Sequence, residues 1–120
     1  DVNAFAEDWE AAWNSHNLDR ILAHYSPNVV FRSQKAMRLV GHGELHGKIA
    51  LRDYWHRALA AQPDLSFVVV DVLRGHGMMV ITYRNQRDVL AAETLRFGSD
   101  GLVIEASAVT AFEPCARGYL

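Results

Sequence analysis

The hydrophobic period of the chain changes for good at Pro63, and that change limits the possible folds more than any other feature. Before Pro63 the apolar residues recur at helical spacing apart from one short strand, and after it they alternate throughout. From Val2 to Asn14 the residues Phe5, Trp9, Ala12 and Trp13 lie three or four apart, with Glu7, Asp8 and Glu10 off that face, the pattern of an amphipathic helix. Asn17 is placed to cap a second helix with the apolar face Leu18, Ile21, Leu22 and Tyr25, which Pro27 stops. Val29 to Ser33 reads as a short strand. Gln34 to Gly47, with glycines at 41, 43 and 47, reads as a long mobile loop. Lys48 to Gln62 restores the helical period through Leu51, Tyr54, Trp55, Ala58 and Leu59. After Pro63 four strands are expected over Leu65 to Arg74, Met78 to Gln86, Val89 to Phe97 and Leu102 to Phe112. Turns at Gly75-His76-Gly77, Arg87-Asp88 and Gly98-Ser99-Asp100-Gly101 join them as hairpins. Helices first and a meander afterwards predict an α+β fold, with three N-terminal helices on one face of a curved antiparallel sheet.

A chain of 120 residues, half of them hydrophobic, is expected to form one domain over residues 1–120 with a real core. Its formal charge of -2 gives no electrostatic reason for binding nucleic acid or an anionic membrane, and its ten arginines are scattered instead of forming a run. The single Cys115, beside Pro114, precludes an internal disulfide. The apolar stretches are a few residues long, and the first residues lack a basic flank and an apolar core. No spanning or signal segment is expected, and a cytoplasmic location is the default expectation.

Within the third expected strand, Val89, Ala91, Glu93, Leu95 and Phe97 share one parity, which sets Glu93 on the apolar face. An acid there must be paired, hydrogen-bonded or neutral. It is either a satisfied structural carboxylate or a chemical group. A two-residue Arg87-Asp88 turn pairs Arg84 with Ala91 and Thr82 with Glu93, so that Thr82 faces the acid and Arg84 lies diagonal to it. A four-residue turn at Gly98 to Gly101 sets Ala106 across from Glu93 on the other side. If Arg84 reaches Glu93, the acid stays ionised; if Arg84 points away, burial raises the pKa and the acid becomes a neutral donor. One residue of error in the turn would send one of the two to solvent.

Four segments give the chain a resemblance to a known family. They are Trp9-Glu-Ala-Ala-Trp13-Asn14 through Asn17-Leu-Asp-Arg, His24-Tyr25-Ser-Pro-Asn-Val-Val-Phe31, Gly47-Lys-Ile-Ala-Leu-Arg-Asp-Tyr54-Trp55 and Glu93-Thr-Leu-Arg-Phe-Gly-Ser-Asp-Gly101. Across essentially its whole length the chain resembles the nuclear transport factor 2-like superfamily, which includes ketosteroid isomerases and SnoaL-type polyketide cyclases. The resemblance implies a cone-shaped α+β barrel holding a small molecule in an apolar interior, and pairs of cones joined through their sheets as homodimers. The family's isomerase chemistry uses a base at the end of the first strand, a tyrosine on the first helix and a protonated acid on the third meander strand. Laid on this sequence, these fall near Ser33, near Trp9 and at Glu93. Serine and indole cannot replace the base and the tyrosine, so steroid isomerisation by that route is not expected.

The expected pocket face comprises Val80, Thr82, Arg84, Glu93, Leu95, Ala106, Ala108 and Thr110, with Trp9, Trp13, Phe31 and Ser33 opposite. Tyr25, Tyr54 and Trp55 are further aromatic candidates, for the lining or for plain core. His42-Gly-Glu-Leu-His46 would chelate a metal only on a helix and with a third ligand. The glycines argue against the helix and the sequence places no third ligand, which leaves His46 as a polar lid contact or proton carrier. No phosphate-loop or dinucleotide motif is present, so no cofactor and no metal are expected. Two functions remain open. One is an enzyme working on a small apolar metabolite by acid-base chemistry (isomerase, cyclase, dehydratase or hydrolase type), with Glu93 as acid or base, Arg84 and Thr82 as its tuners and Ser33 or His46 as a secondary polar contact. The other is a non-catalytic ligand-binding or dimerisation module.

Overall fold

The computed structural model describes residues 1–111. Cys115 and the end of the fourth expected strand at Phe112 lie outside the described residues. Helix α1 spans Val2–Ser15, starts where the Asp1 carboxylate accepts from the backbone N–H of Asn3, and stops at His16 in the left-handed region (φ 59°). It buries Ala6, Trp9, Ala12 and Trp13, the stripe that its spacing predicts. Helix α2 is shorter than expected, Leu18–Leu22, capped by Asn17. Tyr25 is not its last apolar residue but the first residue of strand β1, Tyr25–Ser33. Pro27 sits in an irregular stretch of that strand, where the register shifts between Tyr25 and Val30.

The expected mobile loop is ordered. Ser33 accepts from the N–H of Ala36 (3.3 Å) and caps helix α3, Gln34–Val40, which ends on Gly41 at φ 84°. Strand β2, Glu44–His46, follows and pairs with β1. Two of the three glycines that suggested a loop are therefore the C-cap of α3 and, at Gly47 (φ 90°), the entry to helix α4, Lys48–Ala61. Four helices, not three, stand in the described residues.

The meander is β3 (Val68–Gly75), β4 (Met78–Arg84), β5 (Leu90–Phe97) and β6 (Val103–Thr110). The six strands form one sheet in the order β2-β1-β6-β5-β4-β3, antiparallel throughout except for the parallel β1–β6 pair. The meander is antiparallel as expected, and the sheet departs from that pattern only at the β1–β6 pair among the described residues, because β1 reaches the last strand by way of two helices and the whole meander, with no hairpin between them. The helices cover one face of the sheet, and Met79, Ile81, Tyr83, Ala91, Glu93, Leu95 and Ala106 point into the core between the two layers.

Both hairpins beside β5 have three-residue loops. Asn85 N–H donates to Val89 O and Asp88 N–H to Asn85 O, with Asp88 left-handed at φ 60°. Gly98 and Leu102 close the other loop in the same way around Gly101 at φ 82°. A third loop residue in this region is what a type I turn needs in order to rejoin a ladder. The odd count moves β4 one residue along β5, so that Ile81 and not Thr82 stands opposite Glu93. A shift of one exchanges the two faces of a strand. Thr82 and Arg84 consequently lie on the outer face, where Thr82 Oγ1 accepts from Asp71 N–H and Arg84 donates to Asp88 O. On the other side Ala108, not Ala106, is opposite Glu93, a shift of two that keeps both alanines on the inner face.

Candidate functional site

Between the helices and the open end of the sheet lies a cavity of about 630 Å³. It falls within the size range of small-molecule sites. One row of the sheet crosses it, Ser33 on β1, Ala108 on β6 and Glu93 on β5, with Ile81 of β4 next in line. Small Ala108 leaves open space between Ser33 and the acid. Glu93 is 3% exposed, lines the cavity, and has no salt-bridge partner among the described residues. Burial pushes its pKa from 4.5 up to about 8, and a long hydrogen bond from the Tyr25 hydroxyl (3.4 Å) pulls the other way. At pH 7 the neutral form of the carboxyl is therefore favoured. Of the two states the sequence left open, the geometry gives the neutral donor, because Arg84 points to the opposite side of the sheet.

Three phenols surround that acid. Tyr25 and Tyr83 are held well above the usual phenol range, first by burial and then by the charge Glu93 carries when ionised. Tyr54 is raised too, by burial first, while the Ser33 hydroxyl acts in the opposite sense. The site therefore keeps its protons, and it can offer hydrogen bonds to a ligand oxygen but not a strong base. Trp9 packs edge-on against Tyr83 (5.1 Å between ring centres) and stacks on Phe67 (5.6 Å). Its indole N–H meets no acceptor with hydrogen-bond geometry, though its dipole acts to lower the Tyr25 pKa.

The expected site residues divide into three groups by position. Trp13, Phe31, Ser33, Tyr54, Glu93, Ala108 and Thr110 line the cavity. Trp9, Leu95 and Ala106 face inward but are packed solid in the core at 0%, 0% and 1% exposure, away from the cavity wall. Thr82 and Arg84 are on the wrong face, for the register reason given above, and Val80 goes with them. His46 is exposed on β2, at 2.8 Å from Glu44, and is neither a lid nor a cavity contact. No group of metal-ligating side chains occurs among the described residues. Tyr83 went unrecognised because a two-residue turn puts it on the outer face. Tyr25, expected as a ring of a helical stripe and a candidate for the lining, is the side chain that hydrogen-bonds Glu93 among the described residues.

A family model for the SnoaL-like domain matches residues 6–113. The chain belongs to the SnoaL-like domain family. Among solved structures, a SnoaL-like protein of unknown function from Burkholderia thailandensis is 37% identical, with 92% of this chain and 95% of that one covered at a TM-score of 0.87. A SnoaL-like putative isomerase from Agrobacterium tumefaciens (13% identical, 92% and 97% covered, TM-score 0.72) shares the fold. So does AclR, a putative hydroxylase from Streptomyces galilaeus (23% identical, 94% and 90% covered, TM-score 0.71). No curated protein matches the sequence. The SnoaL-like domain seen here has, among its described residues, no helix long and apolar enough to cross a membrane.

Proposed function

We propose that this SnoaL-like domain encloses a small, largely apolar metabolite and acts on it through Glu93 as a neutral acid, in an isomerase-, cyclase-, dehydratase- or hydrolase-type reaction. One observation carries the reading: a carboxyl group that burial keeps protonated near pH 7 opens onto a cavity walled by aromatic rings. Placed against a carbonyl oxygen of the ligand, its O–H strengthens as a hydrogen-bond donor while negative charge gathers there, which is the differential binding that speeds a reaction. Ser33, on the same row, is a secondary polar contact. That one neighbour is a putative isomerase and another a putative hydroxylase agrees with a fold that hosts several chemistries and selects none of them.

The expected result is that Glu93→Gln lowers turnover of a ligand recovered with the protein by roughly 10²- to 10⁴-fold. The melting temperature at pH 6 should change little, since the amide keeps the neutral shape. Activity retained per folded molecule would overturn the proposal. The non-catalytic reading has its own observation, for Glu93 is the only carboxyl among the described residues of the cavity wall, and no histidine stands there to serve as a base. It predicts a ligand that raises the melting temperature by mass action and is returned chemically unchanged.

A further inference from the structure

Most of the cavity wall is fixed by its own packing. The stretches from β1, β5 and β6 are held in the ladder, and α4 is seated by buried Leu51, Tyr54, Trp55 and Leu59. The β4–β5 hairpin is tied to the end of α4, where Gln86 Nε2 donates to Gln62 Oε1 (2.9 Å). Residues 33–43 are different. The Ser33 N–H donates to Gly43 O (2.9 Å), so the chain leaves β1 and returns to β2 through a pinched neck, with α3 as an excursion between the two. Ser33, Gln34, Lys35 and Gly43 of this excursion line the cavity. Yet α3 buries one side chain, Ala36, and leaves Met37 and Leu39 exposed by 49% and 41%. Its end runs through Gly41, in the left-handed region at φ 84°, to His42 and Gly43, three residues with no apolar side chain to anchor them. Little apolar area of its own seats α3, and the parts of a fold that open first are those with the least buried contact.

We propose that residues 33–43 form a hinged flap, which swings out about the Ser33–Gly43 neck to pass a ligand and closes again behind it. The proposal rests on the cavity being a ligand site, as argued above. Swinging takes Gln34 and Lys35 off the cavity, while Ser33, fixed in β1 opposite Ala108, stays on the row that leads to Glu93. Opening gives up the long bond from the Ala36 N–H to Ser33 Oγ (3.3 Å) and the burial of Ala36, and it leaves the strand ladder intact. A lid of this kind lets a site stand open to solvent for exchange and shut for chemistry.

Gly43 supplies a lock with which to test this. A Cβ added there would lie 3.5 Å from the Met37 Cβ, within the span of a disulfide, and Gly43 does not occupy the left-handed region. Met37→Cys with Gly43→Cys, in a Cys115→Ser background, should close a disulfide that fastens α3 to its own neck. Stopped-flow fluorescence with the neutral naphthalene ketone prodan gives the rates of entry and exit. In the oxidised protein both rates should fall about tenfold or more with Kd held within about twofold, and reduction should restore them. Equal rates in the oxidised and reduced forms, or a Kd changed through exit alone, overturn the flap and leave the cavity a ligand site. Should the disulfide not form, hydrogen exchange of the native protein decides. Amides of residues 37–41 should exchange faster than those of residues 52–59 in α4, and should slow when prodan is bound. Equal protection of the two segments, indifferent to prodan, overturns the flap. Failure of prodan to bind the native protein overturns the flap and the ligand site together.

Discussion

Glu93 has a folded pKa above its unfolded value, so between about 4.5 and about 8 the native protein holds a proton that the unfolded chain has released. Its contribution to stability is complete at low pH, falls by up to about 1.4 kcal/mol per pH unit through that interval, and levels off above it. Asp8 and Glu44, with lowered pKa values caused chiefly by hydrogen bonds from His24 and His46, work in the opposite sense. The clean observable is therefore a difference. Urea unfolding of the native protein and of Glu93→Gln, measured from pH 5 to pH 9, should show the variant gaining on the native protein up to about pH 8 and then running parallel. Tyr25→Phe removes the hydrogen bond that favours the ionised acid and should move the end of the decline to higher pH. Parallel curves throughout would mean that Glu93 is hydrated and ionised in the folded state.

At the scale of elements, the seam between α1 and the approach to β3 holds Leu65 and Phe67 in the cavity wall. Asn14 accepts from Phe67 N–H (2.7 Å) and donates to Phe67 O (3.0 Å), Glu10 accepts from Val69 N–H (2.7 Å), and a ring nitrogen of His16 meets Leu65 O at 2.7 Å. One helix face thus supplies partners for an edge segment that no further strand pairs with. Asn14→Ala strips both partners from Phe67 at a part-buried site and should cost about 2–3 kcal/mol in chemical unfolding, well above a plain surface substitution. Read along the sequence, Asn14 and His16 look like helix terminators and no more, since their partners lie some fifty residues away. The α1 stripe, α4 and the meander were legible because each repeats its own period. Helix α3 was not, because it is short, ends on a glycine with more glycines following, and has Ala36 as its single buried residue.

Across the whole molecule, the sheet face away from the helices carries Val68, Leu73 and Val109, exposed by 64%, 57% and 56%. Arg32, Glu44, Arg96 and Glu105 form a linked charge group on the same sheet. An apolar face rimmed by paired charges suits a second copy of the chain, as the family resemblance implies. We expect light scattering at micromolar concentration to give a dimer mass, and Leu73→Asp with Val109→Asp together to give a monomer. A native protein that is monomeric throughout removes the homodimer from consideration.

Hydrophobic period and composition by themselves determined an α+β domain, the order of its main helices and strands, and an acid on the inner side of β5. Each of these depends on neighbours in sequence or on the parity of a single strand. Which groups surround that acid was decided only in three dimensions. One additional loop residue at Asp88 turned Arg84 outward and Tyr83 inward, and the parallel β1–β6 pairing carried Tyr25, 68 positions away, to the carboxyl group. Strand pairing converts a one-residue difference in a turn into an exchange of faces, so chemistry between strands cannot be read until the register is known.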